Sequence, residues 1–276
     1  MSDYKIIACD LDGTLLNSFG QVSAENKKAI EKLAKLGVEF VPTTGRTISE
    51  IPEELLKSPN IRYYIYANGA GVYDKKTGER ILLCMSKNVS NKVLDIVCSY
   101  DAHIIFRHNG ECFADLNQQS DSDYQRYNVW KLHSNVIKSH ANLIENLTLF
   151  CRALDNVEVF TVFFTNKTDP SECKSRLLET DDVILMDSFP NGMGVEICSI
   201  NSGKGKALLA LANKLNLDIS QTIATGDSDN DQTMIDAAGL SLAPENACKS
   251  IKDTADTVIC SNDEHIVKYI LENYIK

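Results

Sequence analysis

Residues 6–9, Ile-Ile-Ala-Cys, form an apolar run too short for a helix, and the run ends in Asp10-Leu11-Asp12-Gly13-Thr14. A short apolar run bounded by polar residues predicts a buried strand. In an open parallel sheet, ligands bind outside the carboxyl ends of the strands, so such a strand would deliver Asp10 and Asp12 to the edge where chemistry happens. Because Asp and Gly are also common turn formers, the alternative is a solvated acidic turn. The rest of the chain has to separate the two.

At 276 residues the chain is long enough for one large or two modest domains. Hydrophobic residues at 43% and charged residues at 24% predict an ordinary globular protein and no membrane span. A net charge of -10 argues against nucleic acid or an anionic membrane as partner. It leaves room for a phosphate substrate, since a bound cation and one lysine invert the sign locally. Nine cysteines without paired spacing, and no apolar leader in residues 1–5, predict reduced thiols and a cytoplasmic location. The five histidines show no zinc-like spacing, and Cys9 points to the other side of its strand from the acids, as a core residue. Trp130 reads as packing, with substrate stacking the alternative.

Residues 23–36 place Ala29, Ile30, Leu33 and Ala34 on one helical face, with Ser23 as N-cap and Gly37 as stop. A second apolar run at 38–41 completes the strand, helix, strand order of a right-handed parallel crossover. It leads into Thr43-Thr44-Gly45-Arg46, and a helix starting at Thr47 would make this loop an anion cradle, or merely a capped helix start. Residues 63–67 predict a third strand, ending in Asn68-Gly69-Ala70, and Thr77-Gly78 predicts a hairpin joining 71–73 to 80–83. From 85 to 189 helical stretches (89–99, 141–154, 171–179) alternate with strand-like ones (104–107, 157–164, 183–186), enough for a separate α+β domain. Residues 115–127 stay open between helix and loop.

The chain then returns as a strand at 193–198, followed by Ser202-Gly203-Lys204-Gly205-Lys206 and a helical 207–215. A lysine in a glycine-flanked turn can reach a phosphate as a point charge. Residues 222–225 predict another short strand, which delivers Gly226-Asp227-Ser228-Asp229-Asn230-Asp231. Three aspartates this close repel one another unless a cation or hydrogen-bond donors neutralise them. An EF-hand loop is excluded, because its Gly and distal Glu spacing is missing.

These four loops, in this order, resemble the haloacid dehalogenase superfamily of phosphohydrolases, and within it the Cof-type sugar-phosphatase-like group. Asp10-Leu11-Asp12-Gly13-Thr14, Thr44-Gly45-Arg46, Lys204, and Gly226-Asp227-Ser228-Asp229-Asn230-Asp231 are similar to its four motifs. Two departures stand out, Glu264-His265-Ile266-Val267 where many relatives carry a glycine and Thr43 where alanine is commoner. The resemblance implies an α/β fold, with a Rossmann-like parallel-sheet core at 1–84 and 190–276 and an inserted α+β cap at 85–189 that sets specificity. It implies Asp10 as nucleophile and Asp12 as general acid and base. Mg²⁺ would be held by Asp10, the backbone carbonyl of Asp12, Asp227 and Asp231, and phosphate by Leu11, Thr44, Gly45, Arg46, Lys204 and Asn230. The implied activity is hydrolysis of phosphomonoesters of small metabolites, sugar phosphates above all, through an aspartyl-phosphate, by a monomer or weak homodimer. A phosphotransferase or mutase sharing that intermediate and a non-catalytic phosphate-binding module are the alternatives.

Overall fold

The computed structural model describes residues 4–186, 189 and 191–275. In chain order its strands are β1 (Ile6–Asp10), β2 (Glu39–Thr43), β3 (Tyr63–Tyr66), β4 (Gly71–Asp74) and β5 (Arg80–Leu82), then β6 (Ala102–His108), β7 (Glu111–Asp115), β8 (Ala141–Ile144), β9 (Val157–Phe164), β10 (Val183–Met186) and β11 (Gly194–Ser199), and finally β12 (Thr222–Thr225), β13 (Leu240–Pro244) and β14 (Thr257–Ile259). The chain divides into two compact units: one holds the chain up to Gly45, Ile51–Ile81 and Gly203 onward, the other Arg46–Glu50 and Leu82–Ser202.

The first unit is built on an eight-stranded sheet in the order β14-β13-β12-β1-β2-β3-β4-β5. Pairing is parallel from β14 through β3 and turns antiparallel between β3 and β4. The central β1 is buried along its whole length, which is why it reads as a continuous apolar run rather than an alternating one. Register aligns the loop starts: Asp10 pairs with Thr43, Thr43 with Ile65, and Cys9 with Thr225. The loops after β1, β2, β3 and β12 therefore leave the sheet at one edge. The helix Ala24–Lys35 begins where the Ser23 side chain accepts the Asn26 amide and buries Ala29, Ile30 and Leu33. Within the stretch 264–267, His265 has φ +67 and ψ 61, the left-handed conformation glycine adopts freely. Its Nδ1 lies 3.0 Å from Ser23 Oγ, so the side chain contacts the helix cap.

The second unit is built on a six-stranded sheet in the order β10-β11-β9-β6-β7-β8, antiparallel except for the parallel pair β7 and β8. The helices Lys87–Val97, Leu147–Ala153 and Pro170–Leu178 cover one face, where Val93, Val97, Cys151, Cys173 and Leu177 meet Phe106, Phe160, Val162 and Phe164. A smaller cluster holds Ile105, Ala114, Phe163 and Phe189 together with Tyr124, Tyr127, Val129 and Ile137. Between the side chains of β6, β9 and β11, Arg107 Nη1 donates to Thr161 Oγ1 and Glu196 Oε1, both at 3.1 Å.

Several expectations need correction. The expected change of domain at residue 190 lies outside the described residues, and the compact units part after Ser202. The strand expected to return to the core, β11, instead pairs with β9 and β10, because its apolar side chains complete the second sheet. The helix expected over 141–154 is split into β8 and Leu147–Ala153, with Asn146 capping the new start. Residues 115–127 resolve into the end of β7 and the helix Asp121–Arg126, capped by Ser120. The helix Lys131–His140 has no counterpart among the expectations.

His103 on β6 is fully buried, stacks on Tyr124 with ring centroids 5.8 Å apart, and neither ring nitrogen makes a hydrogen bond of good geometry. Burial pushes its pKa down to about 4, against a weak upward pull from Asp115 and Asp123. Between about pH 6.5 and pH 4 the unfolded chain therefore binds a proton that the folded chain refuses, so stability falls with pH by up to about 3 kcal/mol across that window. His103→Phe should remove this part of the acid destabilisation in urea titrations at pH 7 and pH 4.5. An unchanged difference between the two pH values would contradict it.

Candidate active site

The loop after β1 makes one wide turn over Leu11–Leu15, closed by the Leu16 amide donating to the Leu11 carbonyl at 2.9 Å. Wide turns of this kind recur at functional sites. Gly13 sits at its apex with φ +80, and a Cβ there would lie 2.5 Å from Asp227 Oδ2, so the turn and the Asp227 loop can meet only at a glycine. Thr14 Oγ1 donates to Asp227 Oδ1 at 3.1 Å, and Asn246 Nδ2 donates to the Gly13 carbonyl at 2.7 Å. The two acidic loops, far apart in sequence, are thus tied together directly.

The carboxylates of Asp10, Asp227 and Asp231 offer oxygens that all lie within 4.8 Å of one another. Lys204, fully buried at the start of the helix Lys204–Lys214, places Nζ 2.7 Å from Asp10 Oδ1 and 2.5 Å from Asp231 Oδ1. Burial alone would push the lysine pKa down, but Asp10 and Asp231 outweigh it and hold the ammonium firmly charged. Burial and Asp231 push Asp227 up to about 6. Burial, then Asp231, raises Asp10, while Lys204 draws it back. Three carboxylates against one ammonium leave an excess of two negative charges in a buried cluster. An all-oxygen donor set carrying that excess suits a hard divalent cation.

Within the cluster the three acids have different surroundings. Asp231 has both oxygens engaged, Oδ1 by Lys204 and Oδ2 by the backbone amides of Asp227 and Ser228 at 3.0 and 3.1 Å. Asp229 stands apart, accepting from Ser250 Oγ at 2.7 Å. Asp12 is exposed at the mouth of the turn, while Asp10 is buried. Leu11 is buried in the core.

Thr44 and Gly45 follow β2 in the same unit as this cluster, whereas Arg46 falls in the other unit and donates from Nη1 to the Glu50 carbonyl at 3.2 Å. The expected helix at Thr47 is only the short turn Ile48–Glu50, and Glu50 Oε2 accepts the Thr47 amide at 2.9 Å, so no helix start adds its amides to the Thr44-Gly45 loop there. Asn230 sits in the Asp227 loop, where Ser228 Oγ donates to its Oδ1 at 2.9 Å and its Nδ2 donates to Asn68 Oδ1 at 3.1 Å. Thr14 and Asn68 were not picked out as site residues from the sequence; the signal for each was its place beside a motif, Thr14 within the first and Asn68 after a strand of the same parallel set.

The family model of haloacid dehalogenase-like hydrolases matches residues 7–271. Phosphatase YwpJ of Bacillus subtilis is 30% identical over 289 residues, spanning 98% of this chain and 100% of the relative. The B. subtilis 5-amino-6-(5-phospho-D-ribitylamino)uracil phosphatase YwtE is 28% identical over 286 residues, spanning 98% of each. A crystal structure from Thermotoga maritima superposes with a TM-score of 0.80 at 27% identity, covering 98% of this chain and 97% of that one.

Removing the lysine would leave Asp10 and Asp231 buried without a counter-charge, at a cost of about 3–5 kcal/mol. Lys204→Met should therefore lower the urea midpoint sharply, whereas Lys214→Met, which breaks the exposed pair with Glu79, should cost under about 1 kcal/mol. Equal losses in the two variants would refute the buried-cluster reading.

Proposed function

The chain belongs to the haloacid dehalogenase-like hydrolases, as a phosphatase of small phosphorylated metabolites, and we propose that it hydrolyses sugar phosphates with Mg²⁺ through a phosphorylated Asp10. The observation that carries this reading is the cluster in which Lys204 bridges Asp10 and Asp231 beside Asp227, at the sheet edge where ligands bind. A small polyhydroxylated phosphate as substrate is in keeping with the name of YwtE, which describes a phosphorylated ribityl chain, a polyol, on an aminouracil.

The Asp10 carboxylate attacks phosphorus and expels the sugar oxygen, which takes a proton from Asp12. A carboxylate nucleophile splits one difficult displacement into two easier ones. Asp12, exposed and one residue past the nucleophile, then accepts a proton from the water that attacks the phosphoryl group, and Asp10 is released. A magnesium ion held by Asp10, Asp227 and the Asp12 carbonyl would supply the positive charge that lets an anionic nucleophile meet an anionic phosphate. Lys204, Thr44, Gly45 and Asn230 hold the phosphoryl oxygens, where charge develops and positioning provides most of the rate. Asp231, whose oxygens accept from Lys204 and the amides of Asp227 and Ser228, keeps Lys204 in place and stands close behind the metal. The second unit acts as the cap that selects the leaving group.

Free phosphate released from a panel of sugar phosphates, with isomer formation followed in parallel, tests the reaction. Hydrolysis with no isomer is expected; isomer formation as the main product would make the protein a mutase. Asp10→Asn should abolish turnover while the fold is retained, because the change is nearly isosteric. Turnover within a few-fold of wild type would remove Asp10 from the nucleophile's role. Mg²⁺ should raise the unfolding temperature of the wild type and shift that of Asp227→Asn far less, since only the folded state offers the site. Equal shifts would count against Asp227 as a ligand.

A further inference from the structure

The turn Ala67–Gly69 after β3 is strained in a way its sequence does not require. Ala67, Asn68 and Gly69 have φ values of +49, +54 and +81, three successive residues in the left-handed region, which side-chain-bearing residues rarely adopt. Strain of this kind persists only where the surroundings over-determine it, and it collects at functional sites. The surroundings here are three of the four motif loops. The Asn68 amide donates to the Thr44 carbonyl at 3.0 Å. A Cβ on Gly45 would come within 2.8 Å of Asn68 Oδ1, so the Asn68 amide group fills the space that glycine leaves open. A Cβ on Gly69 would lie 2.3 Å from the Gly203 carbonyl and 2.7 Å from the Lys204 nitrogen, so the turn also packs on the start of the lysine helix. Asn68 itself is only 3% exposed.

We propose that Asn68 is a positioning residue of the phosphate site, which orients the Asn230 amide from a turn wedged between the Thr44, Lys204 and Asp227 loops. This rests on the phosphatase reading above and deepens it. Asn230 is clamped from two sides: its Nδ2 donates to Asn68 Oδ1 at 3.1 Å, and its Oδ1 accepts from Ser228 Oγ at 2.9 Å. With its oxygen and one N–H engaged, the amide has a single orientation, and its second N–H serves a phosphoryl oxygen. An amide held in advance loses no rotamer freedom when the anion arrives. The left-handed backbone is the conformation that asparagine tolerates better than most other residues, so one residue both makes the turn and carries the acceptor.

Asn68→Gly separates these two functions, because glycine keeps the left-handed backbone and deletes the acceptor. Inorganic phosphate affinity by calorimetry and KM for p-nitrophenyl phosphate should each weaken about tenfold, the loss of one well-placed hydrogen bond to a charged group. The unfolding temperature and Mg²⁺ affinity should stay at wild-type values, with kcat reduced less than KM is raised. In an Asn230→Ala background, Asn68→Gly should add less than about a twofold loss, since the amide it orients is already gone. Ser228→Ala, an exposed change that removes the opposite clamp, should weaken phosphate binding in the same direction and does so without touching the turn. Phosphate binding by Asn68→Gly within about twofold of wild type would overturn the proposal, as would a double variant that multiplies the two single losses in full. Wild-type protein that neither binds phosphate nor hydrolyses the ester would sink the phosphatase reading itself, and this proposal with it.

Discussion

The Lys204 ammonium, shared between Asp10 and Asp231, is the interaction on which the rest of the first unit's edge depends. All three groups are buried, and an ion removed from water without a partner costs several kcal/mol. Each is tolerated only because the others are in place. That requirement couples the end of β1 to the start of the helix Lys204–Lys214, 194 residues away, and that start to the loop after β12, 27 residues further on. The excess negative charge left by Asp227 is what makes the cluster receptive to a cation, and the fixed ammonium is what makes it receptive to an anion. A phosphoester with its metal presents both.

Much of this was legible in the sequence, and for a physical reason. Parallel strands buried on both faces read as short apolar runs, and a parallel sheet brings their carboxyl ends to one edge, so Asp10, Thr44 and the Asp227 loop could be placed together before any coordinates. Thr47 opens no α-helix because Glu50 folds back to take its amide, a local bond that periodicity does not register. Arg46 follows its motif in sequence and donates from Nη1 to the Glu50 carbonyl within the unit that holds residues 46–50, a local bond that the motif does not announce. Asn68 was visible as a turn former and nothing more; its relation to Asn230 spans 162 positions and no pattern of residue types encodes it.

The second unit was harder to read because its elements are short and its sheet is mixed. Residues 141–154 carry helix-compatible apolar spacing throughout, but Asn146 caps a new helix start and frees Ala141–Ile144 to pair with β7. The strand Gly194–Ser199 has the same apolar texture as the core strands, and only pairing with β9 decides which sheet it joins. Such choices are made by tertiary partners rather than by local preference, which is the usual limit of β propensity. The polar trio of Arg107, Thr161 and Glu196 shows the same limit: each residue alone reads as a surface strand position, and together they hydrogen-bond one another inside the sheet's face.

In the mechanism proposed, Asp10 receives the phosphoryl group before water does. Hydrolysis of a phosphorothioate monoester made chiral at phosphorus with two oxygen isotopes, in water carrying the third, tests this most directly, because each in-line displacement inverts the configuration. Two displacements, through Asp10 and then water, predict overall retention in the thiophosphate released. Overall inversion would mean that water attacks the ester in a single step, and would contradict the account.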